Sequence, residues 1–152
     1  MSDEYPWRTG RSCVYRLHYH LVFVPKYRRD VFTESMLVRL DAVLRETCEQ
    51  MQGELIEFNG EADHRHLLVI CPPQKALSHF IGKLKGKSTY VIRKAFAEDI
   101  ADKLWGSQLW SPSYCVVSCG GAPLDIVTQY ITDQQRPTSE KGEQQSRRLR
   151  RR

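Results

Sequence analysis

The chain has 152 residues, 41% of them hydrophobic and 10% aromatic, which suits one domain with its own core. No apolar stretch approaches the ~20 residues of a membrane span, and Met1-Ser2-Asp3-Glu4 lacks signal-peptide character, so a cytoplasmic protein with no membrane contact is expected. A net charge of +5 and a pI near 9.0 favour a polyanionic partner, while five scattered cysteines with no CxxC pair argue against a zinc ribbon or a disulfide framework.

Residues 1–12, with Pro6 and Gly10, read as an irregular arm. From 14 to 24 the pattern alternates, with Tyr15, Leu17, Tyr19, Leu21 and Phe23 on one face, and predicts a half-buried strand ended by Pro25. His18 and His20 fall on its polar face, and His20 is placed to lie near a neighbouring site. Lys26-Tyr27-Arg28-Arg29-Asp30 is a basic loop with an aromatic inside it. Lys26 and Arg28 suit a phosphate backbone and Tyr27 a stacked base, although a solvated turn has the same composition. Thr33 has the character of a helix N-cap, with Phe32 and Leu37 as a hydrophobic staple. Leu37, Leu40, Leu44, Cys48 and Met51 then recur at helical spacing up to a stop at Gly53.

A short strand is expected over 54–58 and a hairpin turn at Asn59-Gly60. Next comes the strand Asp63-His64-Arg65-His66-Leu67-Leu68-Val69-Ile70, ended by Pro72-Pro73. His64 and His66 are two apart, so both imidazoles leave one face, and Leu68 and Ile70 continue that face into the core. Two imidazoles side by side on a rigid strand can take two positions of a metal, but a third ligand must come from elsewhere. Without it the pair is a polar strand end. Glu61 and Asp63, at the turn end, are placed to orient a ligating imidazole from behind.

Residues 76–97 predict a second helix that buries Phe80, Leu84, Val91 and Ala95. Lys83, Lys87, Tyr90 and Lys94 line up at i, i+4, i+7 and i+11, with Lys85 and Arg93 adding charge nearby. A charged stripe is usually only the wet face of a helix. Here the absence of any acid from 74 to 97 favours a polyanion contact, because ordinary exposed faces mix signs. Residues 98–104 read as a connection, and 105–119 as a strand bent around Gly106 and Pro112 and broken by Gly120-Gly121. The last helix, about 123–135, buries Leu124, Val127 and Ile131 and sets Tyr130 and Gln134 one turn apart on a neighbouring stripe. Residues 138–152 are a basic, solvated tail with five arginines among the last six positions.

The order strand, helix, strand, strand, helix, strand, helix predicts an α+β fold: a ferredoxin-like or RRM-like antiparallel sheet with two helices on one face and an added C-terminal helix. A single domain is expected over 1–137, with its core at 14–135.

Several stretches, in this order, carry a resemblance: Tyr19-His20-Leu21-Val22-Phe23 with Lys26-Tyr27-Arg28, Asp63-His64-Arg65-His66-Leu67-Leu68, Leu84-Lys85-Gly86, Leu109-Trp110-Ser111-Pro112-Ser113-Tyr114, and Gln129-Tyr130-Ile131-Thr132-Asp133-Gln134. Together they resemble the single-tyrosine HUH transposases of small insertion sequences, the TnpA group. The resemblance implies His64, His66 and Gln134 as metal ligands, Tyr130 as the nucleophile, and Mg²⁺ or Mn²⁺ as the ion. It also implies cleavage and rejoining of single-stranded DNA through a 5′-phosphotyrosine, hairpins at the element ends as the recognised DNA, and a homodimer. Lys83, Lys87 and Lys94 become candidate DNA contacts, and Gly120-Gly121 a hinge for exchanging the tyrosine helix. The family pattern has a bulky apolar residue where this chain has Arg65, which an alternating strand turns away from the ligands.

Two other readings compete. One is a non-catalytic, RRM-like module for single-stranded nucleic acid, which leaves the Tyr130 and Gln134 pairing unexplained and lacks the RNP aromatic signature. The other is a host-repurposed tyrosine transposase acting on repeated palindromes, with the same chemistry in a different genomic setting.

Overall fold

The first alternating run forms two strands instead of one. In the computed structural model, which describes residues 7–28, 31–61, 63–104 and 106–119, Arg8–Thr9 (β1) pairs antiparallel with Val14–Tyr15 (β2). The long strand begins only at β3, His18–Pro25. This corrects both the irregular arm and the continuous strand over 14–24. The turn between β1 and β2 is closed locally, by the Gly10 amide donating to the Cys13 carbonyl at 2.7 Å. The Arg16 guanidinium lies 5.7 Å from the Trp7 ring centre and Arg8 pairs with Glu54, so side chains as well as backbone hold the hairpin.

Helix α1, Glu34–Gln50, starts at the expected cap: Thr33 Oγ1 accepts from the Met36 amide at 3.3 Å. Its buried line is Met36, Leu40, Val43, Leu44, Thr47 and Cys48, so Met36 takes the inward place expected of Leu37, which is half-buried. The helix stop is also used differently. Gln52, not Gly53, takes the left-handed conformation, at φ 60. Gly53 is needed for close approach, since a Cβ there would lie 2.3 Å from the Ile70 carbonyl oxygen and 2.8 Å from the Phe80 ring.

Strand β4 runs over Glu54–Glu61 and β5 over His64–Ile70. The expected turn at Asn59-Gly60 is therefore part of the ladder, where Asn59 pairs with His66, Gly60 with Arg65 and Glu61 with His64. Gly60, at φ 142, has no room for a side chain: its Cβ would sit 2.5 Å from the His64 carbonyl oxygen. The glycine lets two strands approach instead of reversing the chain. A register shift between Leu55 and Glu57 places Glu57 opposite Leu68.

Helix α2, Leu77–Ala95, buries Phe80, Ile81, Leu84, Ser88 and Ile92. Of the other residues expected inside, Val91 is half-buried and Ala95 exposed, because the inward stripe lies one position to the side. A one-turn helix α3, Ala97–Ile100, occupies the expected connection, and Ile100 and Leu104 join the core. The last described strand, β6, covers Trp110–Ser118, shorter than the expected 105–119. Gly106 turns the chain beforehand at φ 80.

The main sheet has the order β4-β5-β3-β6, antiparallel throughout, as a βαββαβ chain requires. Leu21, Phe23, Leu55, Leu67 and Val69 meet Met36, Leu40, Leu44, Phe80, Leu84 and Ile92 in one core, so α1 and α2 share a face of the sheet. Arg65 lies on this face, its guanidinium 5.7 Å from the Phe32 ring centre, so it substitutes for an apolar residue by stacking. Leu68 and Ile70 are buried but belong to the opposite face, which corrects their expected place in the helix-packed core. The chain divides into units Met1–Gly121 and Ala122–Arg152, and every described residue belongs to the first. The Gly120-Gly121 pair, the expected helix at 123–135 with Tyr130 and Gln134, and the basic tail lie outside the described residues.

Candidate functional site

Strand alternation places His64 and His66 on the sheet face away from α1 and α2, with ring centres 5.0 Å apart and planes at 83°. His64 is buried and His66 half-buried. Asp63, in the turn before β5, brings Oδ1 within 2.8 Å of His64 Nδ1. A carboxylate there assigns the proton to Nδ1, which leaves the Nε2 lone pair free for a cation.

The β4–β5 register completes the cluster. Glu61 sits directly across from His64, and ligand atoms of Glu61, Asp63 and His64 lie within 4.8 Å of one another. These three residues can hold a metal ion. Asp63 stands where an orienting acid was expected, whereas Glu61 is also close enough to ligate directly. An imidazole and carboxylate set without thiolate suits a hard divalent cation such as Mg²⁺ or Mn²⁺. Burial lowers the His66 pKa, the neighbouring His64 and His20 lower it further, and Glu61 opposes them. These effects favour the neutral form of His66, the form in which an imidazole can bind a metal. His20 is the contributor that sequence reasoning left at the margin. Its signal was the shared face: His20 pairs with Leu68, one step along from His66.

The basic residues divide between two places. Lys26–Arg28 is a single 3₁₀ turn at the end of β3, and the pairing of Phe23 with Arg65 puts it at the sheet end that carries His64. Tyr27 is exposed and left-handed, at φ 64, and Lys26 Nζ lies 5.3 Å from its ring centre. Lys83, Lys87 and Lys94 are exposed on α2, outside the histidine cluster. Lys85, expected as extra charge and as part of the Leu84-Lys85-Gly86 stretch, has a structural role. Its Nζ donates to the carbonyls of Ser111 at 2.7 Å and Ser113 at 3.0 Å, tying α2 to β6. Burial pushes its pKa down to about 8. The signal was its position beside Leu84, at the edge of the apolar stripe.

Residues 13–134 match the family described as Transposase IS200 like. The ISDra2 transposase TnpA of Deinococcus radiodurans is 35% identical over 127 residues, 84% of this chain and 90% of that protein. The transposase for insertion sequence element IS200 of Salmonella typhimurium is 36% identical over 102 residues, 67% of this chain and 66% of the relative. A crystal structure from Deinococcus radiodurans, assigned as a transposase, aligns with a TM-score of 0.73 at 35% identity, over 84% of this chain and 97% of that one. A REP-associated tyrosine transposase, solved bound to a REP hairpin, shares the fold with a TM-score of 0.50 at 12% identity, over 81% of this chain and 67% of that one. The chain belongs to the IS200-like family and is, by that membership, a transposase.

Proposed function

We propose that this transposase cleaves and rejoins single-stranded DNA at the ends of an insertion sequence, using Tyr130 as nucleophile and a divalent ion held by His64, His66 and Gln134. The observation that carries the reading is the pair of imidazoles on one strand face, one buried and oriented by Asp63 at 2.8 Å. A divalent ion, when bound, supplies positive charge beside the phosphate oxygens and makes phosphorus more electrophilic. Asp63 holds the His64 ring and its proton at Nδ1, and His66 offers a neutral nitrogen. Tyrosine titrates near pH 10, so Tyr130 depends on its surroundings to attack as phenolate. Attack joins the Tyr130 oxygen to the 5′ phosphate and releases a 3′ hydroxyl. The phosphotyrosine conserves the phosphodiester bond energy, so the reverse step rejoins DNA without ATP.

Hairpins at the element ends are the recognised DNA in this reading, with Lys26, Arg28, Lys83, Lys87 and Lys94 as phosphate contacts. The similar REP-associated protein was solved on a REP hairpin, which supports a hairpin substrate. The working form is a homodimer. Among the described residues β6 pairs only with β3, and Tyr114 and Val116 are exposed along it, as suits an edge open to a second copy. The catalytic domain spans 1–137, the basic tail 138–152, and the enzyme acts in the cytoplasm. No helix of the described residues is long and apolar enough to cross a membrane.

The test mixes the protein with labelled single-stranded DNA from the ends flanking its gene, with Mg²⁺ or Mn²⁺, beside Tyr130→Phe on a denaturing gel. The expected result is a covalent adduct that needs metal and Tyr130 and does not form on duplex DNA. Tight binding with no adduct in either metal would replace the enzyme reading with a binding module.

A further inference from the structure

An open groove of about 660 Å³ runs between the second half of α2 and the segment leading into β6. Gly86, Tyr90, Arg93 and Lys94 form one side, and Gln108 and Trp110 belong to the other. That second wall is held rigidly. Lys85 binds the Ser111 and Ser113 carbonyls, Arg93 donates to the Gln108 carbonyl, and the buried Trp110 indole donates to Ser88 Oγ at 2.8 Å. Lys85 and Arg93 are thus engaged in building the groove, while Tyr90 and Lys94 stand at its rim. Tyr90 is 66% exposed, and Lys94 Nζ lies 5.6 Å from its ring centre.

Gly86 is the second observation. A Cβ at Gly86, or at Gly82 one turn earlier, would meet nothing within 4 Å among the described residues. Glycine is the poorest helix-interior residue after proline, and packing within the fold does not require it here. Its bare backbone keeps the groove open toward an outside ligand. An anionic ligand suits it, since the described lining carries Lys85, Arg93 and Lys94 and no acid. The pairing of Pro25 with Trp110 places the groove at the sheet end that carries His64.

We propose that this groove is a subsite for the single-stranded DNA substrate. One base stacks on the Tyr90 ring, its phosphate meets the Lys94 ammonium, and the strand passes close over Gly86. The subsite is sequence-tolerant, because every base offers a π-face. It rests on the single-strand reading above.

Fluorescence anisotropy with the full chain and fluorescein-labelled oligothymidylate tests it. Tyr90→Ala is expected to weaken binding about ten-fold and Tyr90→Phe to retain it. Gly86→Ala is expected to weaken binding while raising the melting midpoint, which separates a filled groove from a damaged fold. Wild-type binding matched by both Tyr90→Ala and Gly86→Ala would overturn the subsite and leave the single-strand reading standing. No binding by the wild type would overturn the subsite, while the single-strand reading is decided by the adduct test on the hairpin-bearing ends. Polyglutamate displacing the probe as well as unlabelled oligothymidylate does would replace the nucleotide subsite with a site for acidic peptide.

Discussion

Removing the carboxylate behind His64 separates two roles for Asp63, that of orienting a metal ligand and that of being one. Asp63 Oδ1 lies 2.8 Å from His64 Nδ1, and its side chain is 33% exposed while that of His64 is 9% exposed. A hydrogen-bond partner behind a metal-bound histidine typically carries roughly 10–100-fold in metal affinity, or about 1.4–2.7 kcal/mol. Partial exposure of Asp63 lets water replace some of that bond, so Asp63→Ala is expected at the lower end, a loss of roughly ten- to thirty-fold. Asp63→Asn keeps an acceptor oxygen but not its charge, and a loss of about three-fold is expected, because uncharged hydrogen bonds are about half as strong. The assay is Mn²⁺ titration by electron paramagnetic resonance, with circular dichroism to show that the fold persists. Unchanged Mn²⁺ affinity in Asp63→Ala would refute the orienting role. Equal, large losses in Asp63→Asn and Glu61→Gln would refute it differently, by showing that both acids bind the ion directly.

Two further outcomes follow from the strands and from Lys85. Gly60→Ala forces a Cβ to 2.5 Å from the His64 carbonyl at φ 142, so a loss of about 2–3 kcal/mol is expected in urea unfolding, together with weaker Mn²⁺ binding as β4 shifts. A wild-type unfolding midpoint would refute the close strand approach. For Lys85, burial lowers the pKa from 10.5 to about 8, so between those values the unfolded chain holds a proton that the folded chain has lost. Stability of the wild type relative to Lys85→Met should therefore rise with pH from about 8 to 10.5 and be flat below that window. Parallel pH profiles of the two proteins would show that Lys85 is not desolvated.

Local signals carried much of the fold. Thr33 caps α1 as its side chain and position require, and the alternation of Leu67 and Val69 against His66 and Leu68 sets the two faces of β5. These depend on residues within a few positions of each other. Asn59-Gly60 misled because the same pair suits a tight turn or a close pass between strands, and only the partner strand chooses. Leu37 and Val91 were off by one position because an amphipathic stripe is broad, and the crossing of the helices selects its centre. Lys85 was opaque for a related reason: its partners, the Ser111 and Ser113 carbonyls, are 26 and 28 positions away.

The sequence by itself determined the βαββαβ order of the main sheet and its two long helices, the shared face of His64 and His66, and the acid-free basic helix, because each is written in periodicity or composition. Tertiary structure alone decided that Glu61 stands across from His64, that His20 lies along the face from His66, that Arg65 rests on Phe32, and that α2 and the approach to β6 enclose a groove. Each of those depends on register or packing between segments distant in the chain, and no local pattern encodes such a pairing until the whole sheet has closed.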